Sequence, residues 1–178
     1  MEIKKLANNA LNFCINKFIE IFGISIVLLG ALLLISFISF SPDDPNFIFP
    51  DNVQIKNFLG YRGSYSADLF FQSFGLISLL IPFSLIFTGI NITLSKKISL
   101  IIESNFFTIL YLLCGSLFFS TFYTNAFELY INGNGGFVGK FLETTFLNSL
   151  MSSNTNVVYF LSIFLIIIFF LISIQFKI

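Results

Sequence analysis

Four runs without a single charged residue, 22–42, 69–95, 104–127 and 144–176, alternate with short polar connectors along the chain. A helix needs roughly 20 apolar residues to cross about 30 Å of hydrocarbon, and each run is long enough. A segment in that solvent must satisfy its own backbone, so runs of this kind predict helices. The expected fold class is an all-α membrane protein with four transmembrane helices, at about 21–41, 76–95, 104–125 and 156–176. Residues 1–20 are expected to form a cytoplasmic amino-terminal segment and 21–176 a four-span domain.

The second run is too long for one simple span. Ala67, Phe70, Phe71 and Phe74 recur at i, i+3, i+4 and i+7, with Asp68 and Gln72 on the other side. That pattern predicts a short amphipathic helix at the outer interface before span two. Gly75 is then expected to act as a flexible joint, and Pro82 to kink the outer half of the span or open a local gap in its hydrogen-bond ladder. A similar short helix is expected before span four, where Leu142, Phe146 and Leu150 mark one face.

These two segments read as a repeat. Gly60-Tyr-Arg-Gly63 matches Gly136-Phe-Val-Gly139 at an offset of 76, and Gln72-Ser73-Phe74 then faces Asn148-Ser149-Leu150. Each unit is a span, an outer glycine turn, an interfacial helix and a returning span. Two spans per unit preserve orientation, so the repeat is parallel, whereas inverted repeats mark many carriers. The glycines, with the turn signal Asn134-Gly135, fit positive φ or close backbone approach.

Composition narrows the chemistry. The chain is 56% hydrophobic and 10% charged, with a mean hydropathy of +0.93, which a soluble domain could not hide from water. Its net charge of zero points to no direct nucleic-acid contact. Histidine is absent, and Cys14 and Cys114 are the only thiols, so neither a metal site nor a structural disulfide is expected. Asp43 and Asp44 are adjacent carboxylates, the kind of pair that binds Ca²⁺ or shares acid–base work. They lie between Pro42 and Pro45 without a third ligand at motif spacing, so a rigid turn is expected, with Ser41 accepting backbone N–H groups.

The spans hold no ionisable group of the kind coupling ions require at depth. Ser84, Thr88, Asn91 and Ser116 either line a pore or bond between helices. A small transporter or channel subunit is therefore the alternative reading, and no catalytic constellation presents itself. Lysine and arginine number six in the amino terminus, second connector and carboxyl terminus, against three in the other connectors. Both termini are expected in the cytoplasm. Lys4, Lys5 and Lys17 precede a run too long for a cleavable signal, so span one stays as an anchor.

Three segments together resemble a known family. Ser39–Phe47, carrying Pro42, Asp43, Asp44 and Pro45, is similar to the end of span one in the amino-terminal four-transmembrane domain of the FtsK/SpoIIIE DNA translocases. Asn57, Gly60, Gly63, Ala67, Asp68 and the later Gly75 follow that domain's next segment, and Gly135, Gly136 and Gly139 its approach to span four. The resemblance implies a bacterial inner-membrane anchor at the division septum, with septal division proteins as partners. It also implies a hexameric assembly set by the motor, and ATP and Mg²⁺ as that motor's cofactors. No Walker motif or DNA channel is present in these residues, so the chain is expected to be an anchor without catalysis, as a truncated product or a separately encoded one. Charge reversal at Asp68 with Arg62 is expected to weaken septal recruitment.

Overall fold

The computed structural model describes residues 2–45, 54–124, 132–145 and 155–176. Among them lie six α-helices: α1 (Glu2–Ile38), α2 (Gly60–Phe74), α3 (Ile81–Ser95), α4 (Leu100–Phe122), α5 (Gly136–Glu143) and α6 (Thr155–Ser173). A 3₁₀ stretch, Gly75–Leu80, joins α2 to α3, and no strand occurs among the described residues. Lys4–Ile38, Gly60–Ser95, Leu100–Phe122 and Thr155–Ser173 are each long and apolar enough to cross a membrane. The protein is an all-α, multi-pass membrane protein.

Helix α1 runs unbroken through residue 20 and ends at Ile38, four residues before Pro42, which has no N–H to offer the Ile38 carbonyl and whose ring would clash with it in a continued helix. It packs along α3, and α4 packs along α6. The α1–α3 seam is close because both backbones are bare there: a Cβ on Gly89 would come within 2.6 Å of the Gly23 carbonyl oxygen. Small residues allow such approach where apolar burial gives no net drive between helices. Three core clusters result, centred on Ile19, Ile26 and Ile92, on Ile77, Ile81, Tyr111 and Leu112, and on Phe37, Ala67 and Phe71.

Helix α2 crosses the end of α1 instead of running beside it. Its Gly63 meets Ser36, and its Phe71 meets Phe37 and Phe40, with ring centroids 5.0 and 4.7 Å apart. The nine residues 63–71 of α2, about 12 Å of helix, thus cover roughly one turn of α1. At the opposite end of the bundle, Lys96 Nζ donates to Glu20 Oε1 at 2.6 Å. Gln175 Nε2 donates to the Leu100 carbonyl there at 2.9 Å. The inner part of α1, the α3–α4 connector and the end of α6 therefore share one face of the bundle.

Next to Pro82 the α-helical hydrogen-bond ladder is interrupted by the 3₁₀ stretch, the second of the two outcomes expected there. The proline stands in the first turn of α3, where its missing N–H has no helical partner to lose, and the 3₁₀ stretch absorbs the change of direction before it.

Candidate functional site

The motif residues converge on two polar clusters near the crossing of α1 and α2 and the start of α5. In the first, Asp44 is the organising group. Its carboxylate is buried and accepts the Lys56 and Asn57 backbone N–H groups, both at 2.9 Å, one on each oxygen. The chain leaving α1 is thereby fastened to the chain entering α2. Asn57 continues the fastening: its Nδ2 donates to the Ser36 carbonyl at 2.9 Å, and its Oδ1 accepts Leu59 N–H at 3.1 Å. Ser36 Oγ donates to the Gly63 carbonyl at 2.6 Å, and Ser64 Oγ to the Pro45 carbonyl at 2.8 Å. Any Cβ at Gly63 would overlap Asn57 Oδ1, so the glycine is required by close approach.

The second cluster is made mostly of backbone. Leu76 N–H donates to the Asn134 carbonyl at 3.0 Å, across a contact so tight that a Cβ on Gly75 would overlap that oxygen. Gly75 has φ +72° and Gly136 φ +65°, and a Cβ on Gly136 would lie 2.5 Å from Gly75 N. Gly135 and Gly139 both press on the Ser116 carbonyl of α4. Ser116 Oγ in turn donates to the Phe74 carbonyl at 2.9 Å, and Asn134 Nδ2 donates to the Tyr123 carbonyl. This cluster joins the end of α2, the middle of α4 and the start of α5.

Most of the motif residues fall in or beside these clusters, while Ala67 packs in the apolar cluster with Phe37 and Phe71, and several roles differ from those expected. Asp43 and Asp44 diverge: Asp43 is exposed and pairs with Lys56 Nζ at 3.1 Å, while Asp44 is buried. They form no acid–base pair, and the acceptor of backbone N–H groups is Asp44 and not Ser41. Ser41 contributes its carbonyl, which receives Asp44 N–H at 3.1 Å. Asp68 is buried with Ala67, contrary to the outward face expected of it, so it is not available as a surface contact. Gly75 is a locked corner and not a flexible joint. Phe146 and the Asn148–Leu150 segment lie outside the described residues.

A third polar group lies among the spans. The Ser84 and Tyr111 hydroxyls share a hydrogen bond of 3.1 Å, and those of Ser84 and Ser173 one of 2.9 Å. Thr88 Oγ1 donates to the Ser84 carbonyl at 2.6 Å, and Asn91 Nδ2 to the Ile174 carbonyl at 3.1 Å. A cavity of about 60 Å³ beside them is lined in part by Ser84, Thr88, Ser104 and Asn105. These side chains bond α3 to α4 and α6, as interhelical hydroxyls commonly do. Sequence reading missed Ser36 and Ser104 in these networks; a serine inside an apolar run was the available signal. Among the described residues no three His, Cys, Asp or Glu side chains come together to hold a metal.

The family model described as the 4TM region of DNA translocase FtsK/SpoIIIE matches residues 16–177. A protein named DNA translocase FtsK from Rickettsia bellii (strain RML369-C) is 28% identical over 169 residues, covering 93% of this chain and 21% of the relative. One of the same name from Rickettsia prowazekii (strain Madrid E) is 30% identical over 82 residues, 44% of this chain and 11% of the relative. The chain thus spans about a fifth or less of the length of these relatives. No solved structure matches it. With the match running through both clusters and all four membrane-crossing helices, the chain belongs to the FtsK/SpoIIIE four-transmembrane family.

Proposed function

We propose that this chain is the membrane anchor of a bacterial DNA translocase, set in the inner membrane with both termini in the cytoplasm and concentrated at the division septum. The observation that carries this reading is the family match across residues 16–177, nearly the whole chain. In this reading ATP, Mg²⁺ and DNA engage a motor domain, and the four spans act without catalysis by fixing that motor in place. Copies of the anchor assemble with one another, as a hexamer if the motor's ring sets the number.

The end of the bundle that holds Lys17, Lys96 and Lys97 is the cytoplasmic one in this assignment, in keeping with the positive-inside rule. The two clusters and α2 then lie at the outer surface, with α2 and α5 at the interface. There the exposed rings of Phe137 and Phe141 stack 6.4 Å apart on α5 and offer an apolar face to septal partners. They replace Asp68 as the candidate contact. The hydroxyls of the spans bond to one another and to backbone, which supports an anchor over a transporter.

A fluorescent fusion expressed at native level in the source bacterium tests the reading. Midcell enrichment during division is the expected result, and F137S/F141S should spread the signal around the periphery while membrane insertion stays intact. Uniform peripheral labelling of the unaltered protein would overturn the septal assignment.

A further inference from the structure

A groove of about 370 Å³ opens where α2 crosses α1, lined by Leu29, Leu32, Leu33, Ser36, Leu59, Arg62, Gly63 and Ser66. Its volume lies within the roughly 300–1,000 Å³ typical of small-molecule sites. The groove has two chemical ends. Leu29, Leu32 and Leu33 descend along α1 into the apolar span, and Leu29 and Leu32 are 61% and 49% exposed, open to whatever fills the groove. Arg62, with Ser66 one turn on, stands at the mouth on α2. It is the only arginine in the chain, and among the described residues it enters no ion pair. Its backbone lies in the first turn of α2, where the helix dipole adds positive potential.

We propose that this groove binds one phospholipid, with an acyl chain against Leu29, Leu32 and Leu33 beneath α2 and the headgroup phosphate on Arg62. Charge complementarity selects this occupant. A guanidinium presents paired donors that match two phosphate oxygens, and such charge-assisted bonds are stronger than neutral ones. The crossing of α2 over α1 places that cation at the end of an apolar channel, in the order in which a phospholipid carries its own phosphate and chain. A second copy of this protein or a partner helix would bring an apolar surface but no required anion. The Asp44–Asn57 cluster sits directly behind the groove and holds Gly63 against Ser36, so the site is rigid before any ligand arrives.

The test is native mass spectrometry of the full chain released from nanodiscs of phosphatidylethanolamine and phosphatidylglycerol. One retained phospholipid per chain is the expected result. R62Q should lower its retention about tenfold, the effect of one charge-assisted contact, and R62K should restore part of it. L32W, which fills the channel and leaves the guanidinium in place, should also lower retention, whereas K97Q at the other end of the bundle should not. Equal retention by wild type, R62Q and L32W would overturn the proposal. So would a dimer mass free of lipid that R62Q or L32W dissociates, because a second copy would then occupy the groove.

Discussion

Helices α2 and α5 begin in the same way and are held in opposite ways. Each starts on a glycine at positive φ, Gly60 at +63° and Gly136 at +65°. Each of those glycines donates its N–H to the carbonyl three residues back, to Asn57 at 2.9 Å and to Gly133 at 3.2 Å. Each is followed three residues later by a glycine against close neighbours. Around Gly60, however, a Cβ would meet nothing within 4 Å, and the fastening is done by the side chains of Asp44, Asn57 and Ser36. Around Gly136 the fastening is backbone against backbone, with Gly75 and Asn134 in contact. One local conformation can thus be stabilised either by removing side chains or by supplying them.

The largest expected effect separates these two cases. G136A must place a Cβ at left-handed φ and against Gly75 N, and should cost about 4 kcal/mol. G60A meets only the backbone preference and should cost about 1–2 kcal/mol. Thermal melting in mild detergent, read by a thiol dye reaching half-buried Cys114 in a C14S background, measures both. Equal losses would mean that α2 and α5 are held alike at their first residues and would remove the distinction.

That contrast also shows why part of this fold was legible in the sequence. A missing charge over twenty residues is a local signal with one physical outcome, so the four spans could be read directly. The offset of 76 between the glycine pairs was equally local, and the first residues of both helices carry the positive φ that it implied. Roles that depend on a partner far along the chain were not legible. Asp68 matched a polar face by spacing alone, yet the crossing of α2 over α1 turns it inward. An interruption near Pro82 was legible, but not that the α-helix would begin anew at Ile81 and leave the proline in a first turn. The closeness of α1 and α3 rests on Gly23 and Gly89, and nothing in either span by itself indicates the other.

The side-chain fastening of α2 is tested most directly at Asp44. D44N keeps the shape of the group but replaces one acceptor oxygen with an NH₂ facing a backbone donor. One charge-assisted bond is lost, the other weakened, and a buried N–H left unpaired, at a cost of about 3 kcal/mol. The loss should be localised: hydrogen exchange should quicken at Lys56, Asn57 and the first turn of α2, and stay unchanged across Gly136–Glu143. Uniform acceleration through both regions would mean that the two clusters open as a single unit.

The smallest expected effect comes from the neighbouring residue. Asp43 and its partner Lys56 are 58% and 60% exposed, and an ion pair in that position is screened by solvent and must hold two side chains in one geometry. D43N should therefore change stability by less than about 1 kcal/mol, and the change should fade as salt is raised. Lys56 still has its backbone N–H on Asp44 in that variant, so the connection between α1 and α2 remains closed. If D43N were as damaging as D44N, the exposed pair would be carrying the fastening, and burial would not be what distinguishes these adjacent carboxylates. The salt titration decides the point, because a bond shielded from water keeps its strength at an ionic strength that removes an exposed one.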